Sequence, residues 1–491
     1  MNFLAFDLGG SSGKLFLITA NQHKLKISCI HQFKNAPVSI NGGLYWDFIH
    51  IYDELCTGLR KAVLQTRDNI DSIGFDSFCN DFALIDQKGN LLTPIRCYRD
   101  ERTARCQEHT YSVMSKGELY TATGNQNALF NTLLQLDAMN CEGQGWLLDQ
   151  CYHALFLSDL LIYLLTDRLV TEYTTASVSQ LYDMIKGDWS DIIYKKYGLR
   201  RSLFPPVVMP GINLGDTTEK FDRQIGSHGF SVTTVCQHDT ASAFLASVCT
   251  EPAAIISCGT WCLVGTEHSA PIISDIAFSG NIANEGGYPG HHRLLRNVMG
   301  TWIIQEILRE RIAAGESITY AELDEMAAAH TYTEYFIDAD NDMFYQPGHM
   351  EEKVKSFCRK SYGKEPSDLS ETIFCVYTSL VFKYRYSIEK LEELTGHRLP
   401  VINVVGGGSK SRLMCQLTAD ICGRQVLAGP DDATALGNAM VQMLAHGCIS
   451  TVNEGRKLIQ KNVSIQTYEP MPDRNWDVLY QQYIEKFYPK G

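Results

Sequence analysis

A short pattern that occurs twice, half a chain apart, constrains this sequence more than any other feature. Phe3-Leu4-Ala5-Phe6 is an apolar run, broken by Asp7-Leu8-Gly9-Gly10-Ser11-Ser12-Gly13 and resumed by Lys14-Leu15-Phe16-Leu17-Ile18. Ala253-Ala254-Ile255-Ile256 is broken in the same way by Ser257-Cys258-Gly259-Thr260 and resumed by Trp261-Cys262-Leu263-Val264-Gly265. From Ser12 to Cys258 is 246 residues, in a chain of 491. A strand, a turn of glycines and small polar residues and a returning strand, recurring at half the length, predict two lobes built on one plan. Length alone allows two or three domains. The repeat selects two, residues 1–245 and 246–491, each near the size at which a single core stops growing.

Composition narrows the class. With 45% hydrophobic and 20% charged residues the chain is globular, and disordered or collagenous polymers are excluded. A net charge of −13 without any Lys/Arg run excludes nucleic acid as a partner. It leaves room for small anions, which local backbone N–H groups hold whatever the overall charge. The 16 Cys are scattered and none forms C-x-x-C, so the thiols are expected to be mostly buried and reduced in a cytoplasmic protein. Met1-Asn2-Phe3 runs straight into a strand without a signal-peptide layout. The longest apolar stretch, Ala154 to Leu165, is interrupted by Ser158-Asp159 and falls short of the ~20 residues that span a bilayer. No membrane is expected, and nothing specifies an oligomeric state.

Residues 24–33 alternate after the polar turn Asn21-Gln22-His23, which makes the first three strands an antiparallel meander. A helix is predicted over 47–66, strands over 71–76 and 82–86, mainly helices over 101–165, loops after Arg200 and a buried strand over 232–235. The first Gly-rich turn is not a P-loop, because position 8 is Leu and Leu15 follows Lys14, and a strand rather than a helix comes next. A Gly/Ser turn between strands can still cup phosphate oxygens, with Asp7 placed to hold a hydrated Mg²⁺; the alternative is a glycine hairpin with a turn-capping Asp. Opposed turns from two halves gripping a polyphosphate define the actin-like ATPase plan. The expected fold class is therefore α/β, two actin-like (ribonuclease H-like) lobes with a nucleotide cleft between them. A third cluster, Gly406-Gly407-Gly408, lies between an apolar run and a helical segment starting near Ser411, and favours ligand contact over a plain turn.

Asp239, in Cys236-Gln237-His238-Asp239-Thr240-Ala241, leads into small helix formers. Two readings are open: an N-cap, or a general base at a strand end flanked by the donors His238 and Thr240. His291-His292 reads as an exposed loop pair, Cys258 and Cys262 as small packing residues, Tyr377 to Tyr386 as a core helix and Trp476 to Tyr488 as a helix without chemistry.

Taken in order, Asp7-Leu8-Gly9, His238-Asp239-Thr240, Ser257-Cys258-Gly259-Thr260-Trp261 and Gly406-Gly407-Gly408 resemble the motifs of the FGGY carbohydrate kinases. Supporting stretches include Tyr98-Arg99-Asp100, Phe130-Asn131-Thr132-Leu133, Asn284-Glu285-Gly286-Gly287 and Asn297-Val298-Met299-Gly300, and the resemblance runs from about residue 3 to 440. It implies ATP-dependent phosphorylation of the 1-hydroxyl of a ketose. By the same resemblance Asp239 takes the hydroxyl proton. Cys79, Asn80, Asp81, His238, Asp239, Thr240 and Asn297 contact the sugar. Gly10, Ser11, Ser12, Gly13, Lys14, Thr260, Gln305, Gly406, Gly407 and Gly408 hold ATP, and Asp7 lies near Mg²⁺, through water. The implied substrate is L-rhamnulose. One segment departs from the pattern Asp-Thr-Trp-Gly-Val-Asp, reading Asp76-Ser77-Phe78-Cys79-Asn80-Asp81, which keeps L-fuculose and L-xylulose open. The rival class is a nucleotide-gated binding protein on the same fold, which has no use for Asp239 beside His238.

Overall fold

Apolar runs buried on both faces make the centre of the first sheet. In the computed structural model, which describes residues 1–259, 261–471 and 475–489, Phe3, Leu4, Ala5 and Phe6 are wholly buried in strand β1 (Asn2–Leu8). β1 pairs antiparallel with β2 (Ser12–Ala20), and β2 with β3 (Leu25–Lys34), the expected meander. The outermost strand, β3, is buried only at Leu25 and Phe33 and carries Lys26 and Lys34 exposed, the usual protection of a sheet edge. Helix α1 (Phe48–Thr66) follows. Asp47 caps it by accepting a hydrogen bond from the His50 N–H at 3.1 Å, and Ile51, Leu55, Leu59 and Ala62 form its buried stripe. On its other side β1 pairs parallel with β4 (Ser72–Ser77). The sheet is completed by β5 (Asn213–Asp216) and β6 (Ser231–Thr233), giving the order β3-β2-β1-β4-β6-β5.

The second sheet repeats this plan. Its seven strands include β7 (Ala254–Cys258), β8 (Trp261–His268), β9 (His292–Met299), β10 (Val401–Val405), β11 (Gln425–Ala428) and β12 (Gln466–Tyr468), in the order β9-β8-β7-β10-β11-β12, and the short strand Ala283–Gly286 lies beyond β9. In both sheets the hairpin partners are antiparallel (β1/β2 and β7/β8), the next two neighbours are parallel, and the far edge strand is antiparallel. The two turns read from sequence as a repeat thus open two sheets with the same central order, a hairpin followed by two parallel neighbours, while the last two strands are taken in opposite chain order.

The chain divides into two compact units. One comprises 1–246, 267–294 and 433–462; the other comprises 247–266, 295–432 and 463–491. The first unit therefore also uses two segments from the second half of the sequence. In it, helices α2 (Arg102–Val113) and α3 (Thr132–Cys141) pack together, and the short helix α4 (Asp239–Leu245) packs on the helix Ala433–Ala445. In the second unit lie helices α5 (Trp302–Ala313), α6 (Leu369–Thr395) and α7 (Arg412–Cys422).

Several expectations change. The helical stretch 101–165 is interrupted by a strand at His153–Phe156, which pairs with Phe82–Ile85 and takes the start of the longest apolar run. His291-His292 is not an exposed loop pair: both are half-buried, His292 begins β9, and its Nδ1 lies 3.3 Å from the Tyr173 hydroxyl. The thiols are not all free: Cys106 and Cys141 form a disulfide, while fourteen cysteines are unbridged. Cys258 and Cys262 are buried packing residues, with Tyr384 of α6 donating its hydroxyl to Cys262 Sγ at 2.9 Å. Phe382 of α6 packs on Trp476, Tyr480 and Tyr483, as expected of a core helix. No helix among the described residues is long and apolar enough to cross a membrane.

Candidate active site

The ends of β1, β4 and the strand leading into α4 place three carboxyl groups in one neighbourhood of the first unit. Parallel pairing sets Asp7 directly opposite Asp76. One residue further, Ser77 bridges to His238, and the Ser77 N–H donates to the Gln237 carbonyl at 2.8 Å, which brings Asp239 beside them. Asp76 is completely buried, and its Oδ2 accepts the Asn438 side-chain amide at 2.6 Å. Its Oδ1 has no hydrogen-bond donor. Burial first, then the charges of Asp7 and Asp239, push the Asp76 carboxyl well above its usual range, against the pull of Asn438. Such a group either keeps a proton, which it can share with Asp7, or meets a cation. An undonated, buried carboxylate oxygen beside a second carboxylate is what a hard, oxygen-seeking dication requires, so these residues fit one. Asp76 was not singled out from sequence, where an acid at a strand end resembles a solvated turn residue.

Asp239 is not the N-cap. His238 holds that position, and Asp239 is the first helical residue, its side chain one-third exposed. Its Oδ1 accepts from the Thr240 N–H at 2.5 Å and from the Thr240 hydroxyl at 3.1 Å. The carboxylate is thus oriented by local donors while facing outward from the helix start. His238 is held from behind by a buried ion pair. Arg293 Nη2 lies 2.9 Å from Glu285 Oε2 and donates to His238 Nδ1 at 3.1 Å, and Arg293 Nε donates to the Gly286 carbonyl at 2.8 Å. An arginine can only donate. His238 Nδ1 also lies 3.4 Å from Glu285 Oε2, so the pair fixes the ring from that side, while Nε2 lies 3.5 Å from Asp239 Oδ1. Burial works to raise the Glu285 carboxyl, but Arg293 and His238 overcome it and hold the group below its ordinary value. Glu285 was quoted from sequence only within a motif and Arg293 not at all.

The segment Cys79-Asn80-Asp81 lies in the same unit. Burial, then the nearby charges of Glu285 and Asp239, raise the Cys79 thiol well above its usual value, which keeps it uncharged. Asn80 sits at φ 79°, a left-handed backbone that Asn tolerates and a β-branched residue does not. Its carbonyl accepts from Thr132 Oγ1 at 2.9 Å and Gln135 Nε2 at 3.2 Å, and its amide donates to Cys79 Sγ at 3.0 Å. Asp81 accepts from Trp46 Nε1 (2.6 Å), Gln135 Nε2 (2.9 Å) and the Tyr98 N–H (3.0 Å). Burial pushes its carboxyl up to about 6, and those three donors oppose the shift.

The first turn is closed by the Gly9 N–H donating to the Ser12 carbonyl at 2.9 Å, and Asn35 Nδ2 donates to the Gly9 carbonyl at 2.8 Å. Gly10, Ser11, Ser12 and Lys14 are at least partly accessible there. Gly13 is buried, and a Cβ on it would meet the Phe33 ring at 2.1 Å, so its smallness serves packing.

The second unit holds the remaining candidates. After β7, the Gly259 N–H donates to the Trp261 carbonyl at 2.9 Å, and the Thr301 hydroxyl donates to the Gly259 carbonyl at 2.7 Å. Gln305, on α5, donates its side-chain amide to that same Thr301 hydroxyl at 2.9 Å. Thr260 lies outside the described residues, and Asn297 is half-buried on β9. The three consecutive glycines have separate causes. Gly406 adopts φ 81°, which favours glycine, and a Cβ on Gly408 would meet Cys258 Sγ at 2.2 Å. Gly407 is exposed with open space where a Cβ would stand. Two of the three therefore answer to the fold itself, and only Gly407 is left for a ligand-facing surface. The expected helix after them begins at Arg412, with Ser411 accepting from the Met414 N–H at 3.1 Å.

Two β-sheets of like central order, each opened by a small-residue hairpin, give the fold seen in sugar kinases. The chain belongs to the FGGY family of carbohydrate kinases: the N-terminal domain of that family matches residues 2–246 and the C-terminal domain matches residues 254–446. It is an enzyme, an ATP-dependent kinase of a carbohydrate. Its relatives include a rhamnulokinase of Bacteroides thetaiotaomicron, 35% identical over 480 residues and 98% of each chain. A rhamnulokinase of Bacillus subtilis is 32% identical over 96% of each chain. In fold it is similar to a ligand-bound xylulose kinase from Lactobacillus acidophilus, with a TM-score of 0.80 at 16% identity over 98% of this chain and 96% of that one. It is also similar to Plasmodium falciparum glycerol kinase with ADP, with a TM-score of 0.78 at 14% identity over 99% and 96%.

Proposed function

We propose that the enzyme transfers the γ-phosphoryl group of ATP to the 1-hydroxyl of L-rhamnulose. The observation that carries the sugar's identity is the similarity, over nearly the whole chain, to proteins named rhamnulokinase at 32–35% identity. Asp239 accepts the hydroxyl proton: it is partly exposed, oriented by Thr240 and flanked by Nε2 of His238. His238, Thr240, Cys79, Asn80 and Asp81, with Asn297, form the sugar contacts. In this set Asp81 orients the segment through its three donors and Cys79 supplies an uncharged thiol. Residues 1–245 bring the sugar site and the first phosphate turn, Gly10 to Lys14. Residues 246–491 bring Thr260, Gln305 and the Gly406–Gly408 loop for ATP.

Asp7 and Asp76 are the residues that would hold Mg²⁺, directly or through water. When bound, the ion neutralises charge on the phosphates and on these carboxylates. The reaction needs no covalent protein intermediate, so catalysis rests on position and on one proton transfer. The reading places the enzyme in the cytoplasm, where ATP and a reduced thiol pool are available.

The test is a coupled ADP-release assay over L-rhamnulose, L-fuculose, L-xylulose, D-xylulose and glycerol. The highest kcat/KM is expected for L-rhamnulose. A clear preference for L-fuculose or L-xylulose would assign the Cys79-Asn80 departure to substrate choice, and a preference for glycerol or D-xylulose would overturn the deoxyketohexose reading.

A further inference from the structure

A group of metal-ligating side chains lies away from these residues, on α2 and α3. α2 presents Cys106 and His109, three residues apart, and α3 presents Asp137 and Cys141, four apart, so each pair shares one helix face. One ligand atom from each of the four lies within 4.8 Å of the others. Asp137 Oδ2 is 3.0 Å from His109 Nδ1 and 3.8 Å from Cys106 Sγ, and it accepts from Thr110 Oγ1 at 2.7 Å. A hydrogen bond that orients a carboxylate in this way is the usual outer support of a metal ligand. Cys106 and Asp137 are buried while His109 and Cys141 are exposed, which gives an ion a way in from solvent.

We propose that this group binds one zinc-class dication once the Cys106–Cys141 disulfide is reduced. Two thiolates, an imidazole and a carboxylate are a tetrahedral donor set for zinc, with metal–sulfur distances of about 2.3 Å and metal–nitrogen or –oxygen distances of about 2.0–2.2 Å. Those distances put neighbouring ligand atoms roughly 3.3–3.8 Å apart, so the two sulfurs must part once the disulfide is reduced while the other pairs, all within 4.8 Å, have only to keep or shorten their spacing. Thiolate and imidazole donors select zinc over the hard Mg²⁺ of a kinase reaction. The disulfide and the metal exclude each other, because a bonded sulfur carries no thiolate charge. A dithiol reductant supplies the switch: its thiolate attacks one sulfur, the Cys106–Cys141 bond breaks, and two thiols form while the reductant leaves as its own disulfide. The metal then displaces both thiol protons to water. Either state fastens α2 to α3, the helices whose Arg102 and Gln135 are hydrogen-bonded to each other and whose Gln135 holds Asp81.

The test uses the full-length protein, reduced so that a denatured aliquot shows all 16 thiols, or left oxidised so that it shows fourteen. It is titrated with Co²⁺ and then with Zn²⁺. The reduced protein is expected to take one equivalent of Co²⁺, with a thiolate-to-cobalt charge-transfer band and the intense visible bands of a tetrahedral ion, all displaced by Zn²⁺. The oxidised protein is expected to show neither. Cys106→Ser/Cys141→Ser should abolish the bands, and His109→Ala and Asp137→Asn should each weaken binding at least about tenfold. Absence of the bands in the fully reduced protein overturns the proposal, as does an unchanged spectrum in the double variant. If the double variant does not fold, His109→Ala decides alone: an unchanged Co²⁺ affinity overturns the assignment.

Discussion

Replacing Arg293 by Met probes the buried support of the proposed base without touching the base. The side chain is 1% exposed and its Glu285 partner 2% exposed, 2.9 Å apart. Met preserves much of the volume but deletes the charge, the hydrogen bond to the Gly286 carbonyl and the one to His238 Nδ1. Breaking a buried pair from one side leaves an uncompensated charge and costs about 3–5 kcal/mol, a large part of the roughly 5–15 kcal/mol that holds a domain folded. The loss has a direction in pH. In the parent enzyme Glu285 is held below its ordinary value, so its contribution is present above the unfolded carboxylate range and fades only as pH falls through that lowered value. In the variant the charge that held Glu285 down is gone, so burial raises its carboxyl and the strain is relieved when it takes up a proton. A carboxyl raised in the folded state costs stability as pH climbs from its unfolded value through the raised one, so the relief is greater at lower pH. The deficit should therefore be smaller at pH 6 than at pH 8. Urea unfolding of both proteins across this range measures it, with Arg293→Lys, which keeps the charge but not the fork, falling between them. A loss under about 1 kcal/mol at pH 8, or a deficit larger at pH 6 than at pH 8, would refute the reasoning.

Other substitutions separate chemistry from packing. Asp76→Asn removes a carboxyl whose pKa burial and Asp7 raise, a group that costs stability as pH rises above the unfolded Asp range; without Mg²⁺ the variant should melt higher at pH 7, and it should lose the melting shift that Mg²⁺ gives the parent. Equal melting curves for the two proteins, with and without Mg²⁺, would contradict this. Gly408→Ala sets a methyl 2.2 Å from Cys258 Sγ and should cost about 1–3 kcal/mol by overpacking, read as a fall in the denaturation midpoint. Gly407→Ala meets open space, so it should fold normally and raise the KM for ATP alone; an unchanged KM would remove Gly407 from the nucleotide contacts.

The half-length repeat was legible because a hairpin of small residues between apolar strands is a local signal, and the two sheets that it opens do share their central strands' arrangement. The meander, the helix from about residue 47 to 66 and the aromatic core helix were legible for the same reason: apolar periodicity acts over a few residues. The contribution of 267–294 and 433–462 to the first unit was not. It depends on contacts between distant segments, such as Asn438 reaching Asp76. The site divides along the same line. Asp239 stood out at the head of a run of helix formers, although the expected cap position belongs to His238. Arg293 and Glu285 escaped notice as a functional pair, since only the folded arrangement turns both toward His238. Asn80, read as a polar departure that offers a hydroxyl contact, has a backbone reason as well in its left-handed conformation.

The central claim is that Asp239 deprotonates the 1-hydroxyl of L-rhamnulose for attack on ATP. Its most direct test is the phosphorus NMR spectrum of the product formed from L-rhamnulose and Mg-ATP by the parent enzyme and by Asp239→Asn, whose side chain can still accept the Thr240 hydrogen bonds. The account predicts one new phosphate ester split by the two C1 protons, and a rate at least ~10²-fold lower in the variant, equivalent to about 2.7 kcal/mol of barrier, with ATP binding retained. A phosphorus signal coupled to a single proton, or near-parent turnover by Asp239→Asn, would contradict it.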